Sequence, residues 1–309
     1  MRIVFMGTPD FAVDCLRALV QNGHDVCLVM SQPDKPQGRK MLLTPPAVKV
    51  CAQELGLETY QPSTLRDGEA AERIRLLAPD LIVVVAYGKI IPQEILDLPP
   101  YGCVNVHASL LPELRGAAPI QHSILQGKKV TGVTTMQLDA GMDTGDILLA
   151  EKTDIQPDET AGELFDRLKV LGAGLLLQTI VGLQNGTITP QKQDNSRATY
   201  ASMLDKSMAP VDWSKTAQQV HDQIRGLDPW PGASTVIHGK TVKLSRSHLG
   251  SPCGKRAGEV VGADKQLEVC CGDGVTVLIG ELQAQGKSKL RAPDFLRGFK
   301  IEKGTILGQ

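Results

Sequence analysis

Over the first two hundred residues, hydrophobic positions alternate between two periods. RIVFMG (2–7) is a nearly continuous apolar run, whereas DFAVDCLRALVQNG (10–23) repeats its apolar positions every three or four residues and stops at a glycine. The alternation recurs: DVCLVMS (25–31) reads as a strand and PAVKVCAQELG (46–56) as a helix closed by glycine. LETY (57–60) follows as a short strand and GEAAERIRLLA (68–78) as a helix. PDLIVVVAYG (79–88) is apolar on both faces, as a central parallel strand is. CVNVHAS (103–109), helical APIQHSILQG (118–127), strands TGVTTMQLD (131–139) and DILLAEKTDI (146–155), and a long helix over 160–186 complete the series. Repeated βα units predict an α/β fold over residues 1–189, with a doubly wound, mostly parallel sheet of Rossmann-like type.

The pattern breaks at 190–208, PQKQDNSRATYASMLDKSM, a polar aperiodic stretch that reads as a linker. Beyond it DWSKTAQQVHDQIRG (212–226) predicts a helix with Ser214 as its N-cap. Five short strands follow, ASTVIHG, TVKLSRS, AGEVVG, QLEVCC and VTVLIGEL, separated by glycine-rich turns that include Gly272-Asp273-Gly274. This spacing predicts a small C-terminal β-barrel, OB-like, over 209–309. Trp230, between Pro229 and Pro231, reads as a packing anchor.

Composition sharpens the picture in three ways. A chain of 309 residues, 42% hydrophobic, is long enough for about two domains with real cores. Its net charge of −1 conceals an asymmetry, because residues 207–309 carry 14 Lys and Arg against 10 Asp and Glu. A basic tail domain on an acidic body points to a polyanionic partner for the tail. The seven cysteines form no CxxC pair and no zinc spacing, so reduced core thiols and no metal are expected. With no bilayer-length apolar run and a first strand where a signal peptide would lie, a soluble, cytoplasmic protein is expected.

Ligands of an open parallel sheet bind outside the carboxyl ends of its strands. After the first strand stands GTPD (7–10), which lacks the second glycine of a dinucleotide fingerprint and equally suits a capped turn. After the central strand stands Ala86-Tyr87-Gly88. On the next strand Asn105 and His107, two residues apart, share one face. LDAGMDTGD, in a glycine-broken loop, offers three carboxylates: Asp139, Asp143 and Asp146. An amide, an imidazole and a carboxylate at adjacent strand tips, with no serine or cysteine nucleophile elbow, suit a reaction whose substrates supply both nucleophile and electrophile. Asn would donate to a developing oxyanion, while His would relay a proton and Asp would fix its tautomer. The same residues could merely tie loop carbonyls together.

These segments resemble a known family. GTPDF (7–11), QPDKPQGRK (32–40), VVVAYGKIIP (83–92), NVHASLLP (105–112), RGAAPIQ (115–121) and MQLDAGMDTGDIL (136–148) are similar, in order, to the methionyl-tRNA formyltransferase family. The likeness runs more loosely into VDWSKTA (211–217), DPWPGA (228–233) and GDG (272–274). The resemblance implies 10-formyltetrahydrofolate as formyl donor, and as acceptor the α-amino group of methionyl initiator tRNA. It implies direct attack by the amine, with Asn105 and His107 stabilising the oxyanion and Asp143 holding His107 and handling protons, and a folate-contacting loop at Ser109, Leu110, Leu111 and Pro112. Tyr87, Gly88 and Asp139, at neighbouring strand ends, join the candidates for holding the folate.

Residues 31–46 are too long for an ordinary connection. The resemblance makes them the insertion that grips the acceptor stem, with Arg39 and Lys40 as tRNA contacts. In the tail Lys240, Lys243, Arg246, Lys287, Lys289 and Arg291 are the candidate phosphate contacts. A monomer without metal is expected. Two other readings share parts of the pattern: a formyltransferase acting on another amine, such as a sugar nucleotide, or an inactive folate- or RNA-binding protein.

Overall fold

Leu81–Val85 is buried at every position, as its two-faced apolar run predicts, and lies near the middle of a seven-stranded sheet. The computed structural model describes residues 1–38 and 41–308. It divides the chain into two units, one built from 1–116, 132–153 and 165–200, the other from 117–131, 154–164 and 201–309.

In the first unit the strands run in the order Ile147–Asp154, Val130–Gln137, Cys103–His107, Leu81–Val85, Arg2–Gly7, Asp25–Met30 and Thr59–Tyr60. Cys103–His107 and the strands beyond it to Thr59–Tyr60 pair in parallel, whereas Val130–Gln137 pairs antiparallel to Cys103–His107. The sheet is therefore doubly wound and mostly parallel, as predicted. The chain winds outward from Arg2–Gly7 in one direction, then returns to lay Leu81–Val85 on its other side. A crevice is thereby created at the carboxyl ends of these strands.

Helix Val13–Gln21 follows the first strand, burying Cys15, Leu16 and Leu19 at helical spacing. Helix Ala161–Gln184 passes close to the site-bearing strand at Gly172, where an added Cβ would lie 3.1 Å from Val106 Cγ1. The segment 190–200, read from sequence as part of a linker, is fastened to this unit. Gln191 pairs with Ile147, and Thr199 accepts the Arg115 N–H with its carbonyl and the Leu114 N–H with its hydroxyl.

The second unit carries an antiparallel sheet in the order Ser234–Ile237, Lys240–Pro252, Val275–Ala284, Leu267–Cys270 and Val260–Ala263. It forms the predicted barrel-like domain, with residues 304–308 bridging its two edge strands. The Val260 N–H donates to Thr305 O, and the Gly308 N–H to Val236 O. Its core gathers Val220, Ile224, Val242, Val269, Ile279 and Phe295 around the helix Ala217–Gly226.

Three expectations fail here. The helix is capped by Thr216, in a capping box with Gln219, while Ser214 is held by the Asp212 carboxylate. Trp213 is the packing anchor, buried with its indole N–H donating to Thr235 Oγ1, whereas Trp230 is 52% exposed. Cys253 and Cys270 are joined in a disulfide, so reduced thiols remain at Cys15, Cys27, Cys51, Cys103 and Cys271. Burial pushes Cys15, Cys103 and Cys271 up to about 12, which leaves them as inert packing groups.

Candidate active site

Strand Cys103–His107 sits between a parallel and an antiparallel neighbour, with Asn105 opposite Met136 and His107 opposite Thr134. Both side chains leave the same face at the carboxyl end of the sheet and are 8% and 7% exposed. Buried amides normally direct their donors to acceptors inside the protein. The Asn105 side chain takes no hydrogen-bond partner among the described residues, so its N–H groups remain available to a ligand.

His107 Nε2 lies 2.9 Å from the carbonyl of Leu114. A carbonyl only accepts, so Nε2 carries the proton and Nδ1 is the working nitrogen. It faces Asp143 Oδ2 at 3.7 Å, too long for a hydrogen bond. Leu114, and not Asp143 as the sequence suggested, therefore fixes the tautomer.

Asp143 stands on the loop between Val130–Gln137 and Ile147–Asp154 with φ at +53°. Its Oδ2 accepts the Gly116 N–H at 2.8 Å. The loop's tight path depends on Gly145, where a Cβ would sit 1.7 Å from the Gln137 carbonyl oxygen. Asp139 is placed differently. Its Oδ1 accepts from Gly141 N and Thr144 Oγ1, bracing the same loop, while Asp146 accepts the Gln137 N–H with its backbone carbonyl.

The Ser109–Pro112 turn lies directly beyond the strand. The Ser109 hydroxyl donates to Glu113 O at 2.6 Å, and Thr134 Oγ1 both donates to Ser109 O and accepts from Leu111 N. Leu111–Pro112 is a cis peptide. Ser109, Leu111 and Pro112 are buried and Leu110 is half-buried, so the turn presents a pre-formed, largely apolar wall.

The Tyr87 carbonyl accepts from Thr8 Oγ1 and Gln32 Nε2, tying the ends of three strands together. Gly88, exposed with φ at +84°, brings bare backbone to the crevice. The Tyr87 hydroxyl is buried without a partner among the described residues, and burial pushes its pKa up to about 12. A cleft of about 420 Å³ opens at the same strand ends, lined by Thr8, Asp10, Gln32, Lys35, Thr44 and Pro45 among others.

Sequence reasoning missed Arg115 and Gln193 as neighbours of the site; their spacing of 78 residues left no local signal.

The candidate tRNA contacts fall into three groups. Arg39 and Lys40 lie outside the described residues. Three others have internal partners: Lys243 donates to Pro231 O, Arg246 pairs with Glu163 at 2.6 Å, and Lys289 lies near Asp228 and Glu281. Lys240, Lys287 and Arg291 are exposed, with no ion-pair partner among the described residues. No group of metal-ligating side chains occurs among the described residues, and no helix among them is long and apolar enough to cross a membrane.

Residues 1–180 match the family model described as formyl transferase, and residues 203–300 match the formyl transferase C-terminal domain. Methionyl-tRNA formyltransferase of Geobacter metallireducens is 48% identical over 309 residues, covering 100% of this chain and 99% of that protein. Among solved structures, the N-formyltransferase of Helicobacter canadensis in complex with folinic acid and dTDP-3-aminofucose aligns with a TM-score of 0.68. It is 21% identical and covers 91% of this chain and 98% of that one. HypX from Aquifex aeolicus in complex with tetrahydrofolic acid aligns with a TM-score of 0.64 at 18% identity, over 99% of this chain and 50% of that one. These two likenesses bear on fold alone.

Proposed function

The chain belongs to the formyl transferase family through both its N-terminal and its C-terminal regions, and from that premise we propose how it acts. It transfers the formyl group of 10-formyltetrahydrofolate to the α-amino group of methionyl-tRNA. Full-length identity of 48% to a methionyl-tRNA formyltransferase supports this acceptor over the amino sugar of the 21%-identical structural relative. The finer reading is that the acceptor is the initiator species and that the enzyme works as a cytoplasmic monomer.

The observation that carries the chemistry is the buried Asn105 amide, unengaged among the described residues, on the same strand face as His107, whose Nδ1 faces the Asp143 carboxylate. The free amine attacks the formyl carbon, forming the new C–N bond and a tetrahedral oxyanion. Asn105 donates to that oxygen, in a site screened from water where such a bond is worth most. His107 Nδ1, its partner nitrogen held by Leu114 O, takes the amine proton, and Asp143 stabilises the resulting imidazolium. Collapse breaks the bond between the formyl carbon and the folate nitrogen, which receives the proton. The buried Ser109–Pro112 turn, Tyr87 and Gly88 form the wall against which the folate lies; the Asp139 carboxylate contributes by bracing the loop. Arg39 and Lys40, with the exposed Lys240, Lys287 and Arg291, contact phosphates and give affinity without reading sequence.

Transfer of labelled formyl from 10-formyltetrahydrofolate to methionyl initiator tRNA tests the assignment. Label on a dTDP-amino sugar and none on the tRNA would overturn it.

A further inference from the structure

Arg115 is the largest fully buried side chain among the described residues, 2% exposed, and the chemistry outlined above gives it no part. Its Nε and Nη2 donate to Gln193 Oε1 at 3.1 and 2.7 Å, and Nη2 also donates to Asn195 Oδ1 at 2.8 Å. A buried guanidinium is costly unless its donors are matched, and carboxylates are its usual partners. Both acceptors here are neutral amides, so charge neutralisation does not explain the arrangement. Orientation does.

With Oε1 held by Arg115, the Gln193 amide must present Nε2 in the other direction. There it donates to the backbone carbonyls of Asp143 at 2.9 Å and Gly145 at 2.7 Å. The residue after Arg115 supplies a second tie, because the Gly116 N–H donates to Asp143 Oδ2 at 2.8 Å. Gly116 has φ at +110°, a conformation open to glycine and strained for other residues. Asp143 itself has φ at +53°, a backbone state that persists only when its surroundings impose it. Arg115 and Gly116 thus hold Asp143 at both ends, the main chain through Gln193 and the carboxylate directly.

We propose that Arg115 and Gln193 form a buried clasp that positions the Asp143 carboxylate opposite His107 Nδ1, which makes both of them positioning residues for formyl transfer. The assignment rests on the function proposed above. It accounts for the Arg-Gly pair that opens RGAAPIQ and for the polar character of the segment 190–197.

Gln193 is the residue to change, being only half-buried. Gln193→Glu keeps an oxygen acceptor for Arg115 and removes the donor; Gln193→Leu removes both. In each variant kcat should fall about 10- to 100-fold, as expected for a small misplacement of a reacting group. KM for formylfolate and for methionyl-tRNA should stay within about twofold, since positioning alone is impaired. Hydrogen exchange of the Gly116 amide supplies a readout independent of the acceptor, with protection expected to drop in both variants while Tm holds. Wild-type kcat with unchanged Gly116 protection in either variant would overturn the clasp. A wild-type protein that formylates no methionyl-tRNA would instead overturn the functional reading, leaving the exchange data to judge the clasp alone.

Discussion

At the residue scale, what sets Asn105 apart is an omission: a buried amide whose donors no group among the described residues uses. Replacing it by alanine should leave folding intact and cut kcat about 10²- to 10³-fold, the usual cost of one oxyanion donor. Single-turnover formyl transfer checks this, and a rate within about threefold of wild type would remove Asn105 from the mechanism. Tyr87 differs, because its hydroxyl is sealed in with no hydrogen-bond partner among the described residues. Tyr87→Phe should therefore hold stability or raise it by about 1 kcal/mol, since no hydrogen bond is broken. A denaturant titration showing clear destabilisation would mean that the hydroxyl has a partner in solution. Asn105 and His107 were legible in the sequence because they are two polar residues on one face of an apolar strand. The tautomer was not, because the carbonyl that fixes it lies on a turn whose path no local pattern specifies.

At the scale of elements, helices and strands with strong periodicity emerged where the pattern placed them: Leu81–Val85, Cys103–His107 and Ala161–Gln184 among them. Ends were less legible. Both Ser214 and Thr216 are chemically able to cap, and Asp212 decides between them by engaging Ser214 first. The helix Ala217–Gly226 also carries the clearest acid-sensitive group. His221 Nε2 donates to Pro157 O and Nδ1 accepts from Ser247 Oγ, a neutral tautomer fully matched inside the protein. Burial lowers its pKa, and nearby Arg225 adds to this against the opposing influence of the Pro157 carbonyl, Asp222 and Asp158.

A histidine held below its ordinary value binds fewer protons folded than unfolded, so stability falls as pH drops below about 6.5. His221→Asn should flatten this acid limb of a stability–pH curve, read as denaturation midpoints between about pH 7.5 and 5. An unchanged limb would mean that other groups govern it.

For the molecule as a whole, the six candidate phosphate contacts of the tail narrow to three whose charged groups have neither an ion pair nor a hydrogen bond among the described residues. Lys243, Arg246 and Lys289 are occupied internally, which the linear sequence had no means of revealing. Lys240, Lys287 and Arg291 remain. Changing these three to glutamine should reduce the slope of log Kd for tRNA against log salt by about 0.7 to 0.9 for every phosphate they cease to neutralise. Retention of the full slope would place the RNA elsewhere. Such substitutions are cleaner than truncation, because the second unit is assembled from three stretches of chain. Sequence patterns revealed the order of the elements and led to the expectation of an earlier and a later domain. They did not reveal that 117–131 and 154–164 join the later one, since that membership is set by packing against residues distant along the chain.

The interleaving matters during synthesis. Pro119–Leu125 directs Pro119, Ile120 and Ile124 inward, and Leu125 packs against the position of Gly226. A polypeptide emerging from the ribosome has released that segment long before residues 201–309 exist to cover it. Until they arrive its greasy side faces solvent, an opening for chaperones to bind and the stage at which a stalled chain is most exposed to aggregation.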